Sequence, residues 1–135
     1  MNSNIWKTIK LATGVFILIV LSKVIDGIPW WGFTVPVMIL GSIAGALKWD
    51  VPFFTIGFSV GFIVWFVGNG YIDQMSDKGV LDMIGHAISL PKLVILAVAG
   101  LLGGLITGLA FYTGKSAFAP SKITALDTKI NLPPF

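Results

Sequence analysis

The chain has 135 residues, of which 56% are hydrophobic and 11% are charged, and its formal net charge is +3. Soluble domains carry about 25% charged residues, so this composition excludes an ordinary soluble domain and predicts a protein embedded in lipid. All basic residues are Lys, all acidic residues are Asp, and Cys is absent, which excludes disulfides, iron–sulfur clusters and thiolate metal sites.

Four apolar stretches are long enough to cross a membrane as helices, because a hydrocarbon core of about 30 Å takes roughly 20 helical residues. They cover residues 9–25, 31–47, 53–72 and 93–112. We therefore predict an all-α integral membrane protein with four transmembrane helices in two hairpins. Lys7 and Lys10 before the first stretch are also typical of a secretory signal, but no small-x-small cleavage site follows, and we expect a retained helix.

The connections between these stretches differ in length. Residues 27–30 and 48–52 form tight turns, and the Trp residues beside them fit an aromatic belt at the membrane surface. The third connection, 73–92, contains an amphipathic segment, for which we predict a short interfacial helix over 79–90, with a polar loop as the alternative. One face of this helix carries Val80, Ile84, Ala87 and Ile88, and the other carries Asp82, His86 and Ser89.

Lysine residues predict the orientation, since basic residues near helix ends favour the cytoplasmic side. With four spans, both termini and the turn at 48–52 share one side of the membrane. That side carries Lys7, Lys10, Lys48, Lys115, Lys122 and Lys129, whereas the other side carries Lys23, Lys78 and Lys92. We expect both termini in the cytoplasm, the 73–92 connection outside, and a bacterial plasma membrane as the location.

The sequence divides into a transmembrane domain, 1–114, and a polar C-terminal tail, 115–135. The tail carries four charged residues, ends in Pro133-Pro134-Phe135, and lacks the apolar content to fold alone. We expect it to leave the membrane as an extended but ordered segment, held by a contact outside the membrane. This expected contact of the tail indicates a partner outside the membrane.

Glycine spacing is the strongest pattern within the predicted helices. Glycines recur every four residues in the second, third and fourth helices, which leaves a flat groove where another helix can approach closely. The candidate packing residues are Gly41, Gly45, Gly57, Gly61, Gly100, Gly104 and Gly108. Packing within the bundle is favoured over docking of a neighbouring subunit. Three grooves in four helices are nevertheless more than a minimal bundle needs, which keeps docking at one of them as the alternative.

Charged residues are absent from the middle of each predicted span, although charges there usually mark a transport path. Near the outer ends, four polar residues map to the same leaflet and form a candidate polar cluster: Lys23, Asp26, Asn69 and Asp73. Anchoring at the interface is the favoured explanation for these positions, since Lys near a helix end can extend to the headgroups.

Catalytic and cofactor chemistry have little support in the sequence. His86 is the only histidine, so one chain cannot supply two axial imidazoles to a haem. Asp82, Ser76 and Ser89 share its connection, but no nucleophile motif surrounds either serine. We expect no catalytic residue, no metal and no cofactor.

These features predict a non-catalytic accessory or structural subunit of a larger membrane protein complex, packing through its glycine faces and its tail. The alternative is a small homo-oligomeric transporter or channel, because four short helices cannot enclose a sizeable pore alone. A membrane enzyme fits less well. Nucleic acid is not an expected partner, since the basic residues are not gathered on one face.

Overall fold

The computed structural model describes residues 3–25, 27, 29–76 and 79–117. Over these residues the protein is all-helical, with five helices and no strand, which confirms the predicted all-α class. In chain order the helices are α1 (Ser3–Val24), α2 (Thr34–Ala46), α3 (Phe53–Met75), α4 (Val80–Ile88) and α5 (Lys92–Ser116). Asp26 and the tail beyond residue 117, including its expected contact outside the membrane, lie outside the described residues.

Three of the helices are long and apolar enough to cross a membrane, namely α1, α3 and α5. Their spanning parts contain 21, 23 and 25 residues, which corresponds to about 32 to 38 Å at the rise of an α-helix. These helices support a membrane-embedded protein, as the composition predicted.

The second predicted span, 31–47, is not confirmed as a helix long enough to cross the membrane, because the helix there covers Thr34–Ala46. Helix α2 has 13 residues, about 20 Å, which is short of the hydrocarbon core. The chain before it forms turns, in which Gly32 N–H donates to the Pro29 carbonyl at 2.7 Å and Thr34 N–H donates to the Trp31 carbonyl at 3.0 Å. Because these turns occupy 30–33, the apolar residues there contribute hydropathy without lengthening the helix.

The other helices extend beyond the apolar stretches that predicted them. Helix α1 begins at Ser3 rather than residue 9, α3 continues to Met75, and α5 continues to Ser116, past the expected domain boundary at 114. Hydropathy marks the part of a helix that suits lipid, whereas backbone hydrogen bonding continues into the polar residues at each end.

Helix α5 is the centre of the bundle and packs against both α3 and α2. It runs antiparallel to α3, since Gly57 lies beside Gly108 while Gly104 lies beside Phe58. It runs parallel to α2, since Gly41 lies beside Phe111 and Gly45 beside Lys115.

Helix α1 lies at the side of the bundle. Its buried residues Leu11, Val15 and Ile19 recur every four positions and form one narrow stripe. It runs antiparallel to α2. Gly14 contacts Leu40 near the middle of both helices, whereas Ile19, toward the end of α1, lines one pocket with Phe33, which directly precedes α2. The core that α1 helps to form consists of Leu11, Val15, Ile19, Phe33, Val37, Ala44, Val51, Phe53, Ile56 and Phe111.

Helix α4 confirms the helix predicted within 79–90, and the alternative of a polar loop is wrong. Gly79 and Ser89 adjoin its ends with left-handed backbone angles, φ +50° and +55°. Glycine at the first position meets this requirement without steric cost. The helix packs against α5, next to the end of α3.

Candidate functional site

The contact between α2 and α5 depends on glycines from both helices. A Cβ added to Gly41 would overlap the carbonyl oxygen of Phe111, and one added to Gly45 would lie 2.9 Å from that of Lys115. On the α5 side, a Cβ on Gly114 would overlap the carbonyl oxygen of Met38. Gly114 was not among the predicted packing residues, because it does not continue the four-residue spacing of the other α5 glycines.

The contact between α3 and α5 is equally close. A Cβ on Gly57 would lie 2.9 Å from the Cα of Gly108, and a Cβ on Gly104 would lie 2.8 Å from the carbonyl oxygen of Phe58. A Cβ on Gly61 would lie 2.9 Å from the carbonyl oxygen of Gly103. Such approaches give van der Waals contact between backbones that lipid tails do not provide.

The grooves at the seven predicted glycines are therefore filled from within the chain. Those of α2 and α3 meet α5, and those of α5 meet α3. Since an added Cβ at each of them would come within 3.2 Å of the chain itself, none offers an open groove to a neighbouring subunit in this fold.

Phenylalanines at four-residue spacing cover the α5 glycines. Phe54, Phe58, Phe62 and Phe66 stack along one face of α3, with successive ring centres 6.0, 6.2 and 5.8 Å apart. Their side chains lie against Gly108, Gly104 and Gly100. This ladder was missed in the sequence, although its i, i+4 spacing is visible there and places all four rings on one helical face.

The predicted polar cluster divides into two parts. Asp73, which is buried, forms an ion pair with Lys92 at the start of α5 and accepts a hydrogen bond from Leu81 N–H at 2.8 Å. Asp82 lies 3.9 Å from the same ammonium. The antiparallel packing of α3 and α5 brings Asp73 and Lys92 together, a pairing that the sequence analysis missed because it treated Lys92 only as a charge outside the membrane.

Lys23 lies elsewhere, with its Nζ 3.9 Å from the ring centre of Trp65 on α3. This distance is typical of a cation–π contact. Lys23 and Asn69 line one cavity of about 400 Å³ between α1 and α3. The Nε1 atom of Trp65 is buried and has no acceptor among the described residues, which costs roughly 1–3 kcal/mol for a neutral donor.

The connection between α3 and α5 forms a cleft of about 350 Å³ at the base of α4. Asp82, His86 and Ser89 line it together with Lys92, whereas Ser76 does not line it. Over the described ranges there is no group of three or more His, Cys, Asp or Glu side chains arranged to hold a metal ion.

Polar groups are scarce in the interior of the described bundle. Apart from Asp73, the buried polar side chain there is Thr107, whose hydroxyl donates to the Gly103 carbonyl of its own helix at 2.6 Å. Between helices, the Ser42 hydroxyl donates to the Gly114 carbonyl at 3.0 Å. The Thr107 bond lies within α5, whereas the Ser42 bond joins α2 to α5.

Comparison with known proteins adds no relative. No protein-family model, no curated protein and no solved structure matches the chain.

Proposed function

We propose that the protein is a non-catalytic accessory subunit of a larger membrane protein complex. The observation that carries this proposal is the closed interior of the bundle. Phe33, Phe53 and Phe111 are fully buried at its centre, and glycine contacts bring the backbones of α2 and α3 against α5. With the interior filled, the protein acts through its outer surface.

The outer surface gives a second argument, because much of it is apolar helix. Only 17% of the apolar part of α1 is buried, and that of α3 is 22% buried. In a membrane such a surface is covered by lipid or by helices of another protein. The proposal assigns part of it to a partner, with α1 as the most accessible helix.

The glycine grooves no longer support docking, since the chain itself fills them. The proposed contact with the partner therefore uses the exposed apolar side chains of α1 and the C-terminal tail. On the face of α1 away from its buried stripe, these side chains include Phe16, Ile17 and Leu21.

We further propose that the chain crosses the membrane four times, as two hairpins with both termini in the cytoplasm of a bacterium. Helix α2 begins near Trp65, in the middle of α3, and ends beside Lys115, which lies next to Phe53 at the start of α3. It therefore extends along the N-terminal half of α3. The turns at 30–33 complete this crossing. Lys7, Lys10 and Lys48 belong to the cytoplasmic end, as the lysine distribution favours.

Native mass spectrometry of the protein extracted from its own membrane in a mild detergent tests the function. Recovery with a larger, different protein at fixed stoichiometry is the expected result. Recovery as a homo-oligomer alone would overturn the proposal and favour the transporter or channel alternative.

A truncated chain sharpens this test. Deletion of 118–135 leaves α5 intact, because the helix ends at Ser116. We expect unchanged membrane insertion and reduced recovery of the partner. The matched control is Val98→Phe on α5, an exposed apolar position where a larger apolar side chain should leave partner recovery unchanged.

A further inference from the structure

A cavity of about 400 Å³ lies between the C-terminal half of α1 and that of α3. Its volume falls within the usual range for small-ligand sites, about 300–1,000 Å³. Its wall is almost entirely apolar and includes Val20, Val24, Val64 and Ile72. Four side chains that line it carry polar donors, namely Lys23, Trp65, Asn69 and Tyr71, and Lys23 is the charged one among them.

The absence of a side chain at Gly68 keeps this cavity open. A Cβ built on Gly68 would meet no atom within 4 Å, whereas one on Gly57 or Gly104 would come within 3 Å of a neighbouring helix. Gly68 therefore differs from the packing glycines of the same bundle, because it lines empty space rather than a helix contact.

A positive charge lies at the margin of the cavity. The Lys23 ammonium rests on the ring of Trp65 instead of extending away from the bundle. The ion pairs of the described residues join Lys92 to Asp73 and to Asp82, and neither of them involves Lys23. A cation at the margin of an apolar cavity is complementary to an amphiphile with an acidic headgroup.

We propose that this cavity binds an anionic phospholipid. Its acyl chain lies along the apolar wall beside Gly68, and its phosphate contacts the Lys23 ammonium and the Asn69 amide. The cavity opens between two helices that are long enough to cross a membrane. Phospholipid is the abundant molecule there that has both an acyl chain and a phosphate. An ammonium group donates charge-assisted hydrogen bonds to phosphate oxygens.

The test is a titration of delipidated protein in detergent with dioleoyl phosphatidylglycerol or dioleoyl phosphatidylcholine, with bound lipids counted by native mass spectrometry. The first phosphatidylglycerol should bind about tenfold more tightly than the first phosphatidylcholine, as a charge-assisted contact provides. Lys23→Gln should remove this preference. Gly68→Leu should weaken the binding of both lipids by filling the cavity.

Two control variants separate the site from general effects. Lys10→Gln removes a lysine from the opposite end of α1, and Val67→Phe adds bulk to an exposed neighbour of Gly68 that does not line the cavity. Both should bind phosphatidylglycerol as the wild type does. Equal affinity of the wild type for the two lipids, or a preference that survives Lys23→Gln, would overturn the proposal. So would unchanged binding in a folded Gly68→Leu protein, since that result places the lipid elsewhere.

Discussion

The Asp73 carboxylate at the end of α3 forms an ion pair with the Lys92 ammonium at the start of α5. The same carboxylate accepts a hydrogen bond from Leu81 N–H in the first turn of α4, at 2.8 Å. Asp73 is only 6% exposed, so its charge depends on these two partners. One side chain thus connects three helices at one end of the bundle.

We expect Asp73→Ala to loosen α4, because the substitution removes both the ion pair and the acceptor for the α4 N-terminus. Hydrogen exchange of the amides of Val80–Ile88, followed by mass spectrometry, should become roughly tenfold faster. Asp73→Asn should have a smaller effect, since its amide oxygen can still accept from Leu81. Asp82→Asn is the control, because Asp82 is exposed and lies 3.9 Å from Lys92. Unchanged exchange in Asp73→Ala would mean that other contacts hold α4.

The close helix contacts predict opposite outcomes for two glycine variants of α3. Gly57→Ala should destabilise the fold by about 1–3 kcal/mol, because its Cβ would press on the backbone of Gly108. Gly68→Ala should be neutral or stabilising by up to about 1 kcal/mol, since it adds a better helix former in open space. Unfolding in mixed micelles, monitored by tryptophan fluorescence, measures both values. Equal stabilities would contradict the packing of α3 on α5.

The hydrogen bond between α2 and α5 predicts a modest loss in Ser42→Ala. Its hydroxyl proton is shared between the Gly114 carbonyl on α5 and the Met38 carbonyl of its own helix, each at 3.0 Å. Hydrogen bonds between helices within membranes contribute about 0.6 kcal/mol. Ser22→Ala is the matched control, because the Ser22 hydroxyl donates at 2.8 Å to Leu18 of its own helix. The same unfolding assay should show a loss for Ser42→Ala and almost none for Ser22→Ala. The reverse order would contradict a contribution of this bond to stability.

The proposed topology predicts a labelling pattern, and the absence of cysteine makes single-cysteine variants straightforward. A membrane-impermeant maleimide should label Met83→Cys in intact cells. It should label Asn4→Cys and Asp50→Cys only after permeabilisation. Two crossings, α1 and α2, separate Asn4 from Asp50, so both positions lie on the cytoplasmic side. Labelling of Asp50→Cys but not of Met83→Cys in intact cells would show that α2 does not cross the membrane.

The helices themselves could be predicted from the sequence, for a physical reason. In lipid, every backbone N–H and C=O must find its partner within the protein, so a long apolar segment forms a helix whatever surrounds it. The positions of α1, α3 and α5 follow from this requirement, and the amphipathic spacing between 79 and 90 predicted α4. The glycine spacing in turn indicated which faces of the helices are narrow.

The register of one helix against another could not be predicted from the sequence. Any glycine face can receive any helix, so the spacing could not indicate that Gly57 meets Gly108 or that the ladder starting at Phe54 covers the α5 glycines. The partner of Asp73 depends on the same register.

Hydropathy sums also hid the short length of α2, because the apolar residues at 30–33 count equally in a turn and in a helix. The sequence by itself therefore determined the helical class and the lipid environment, which depend on backbone hydrogen bonding and apolar content along each segment. Only the tertiary structure decided that the glycine grooves are filled from within and that Lys23 borders an open cavity, because both depend on how one helix is placed against another.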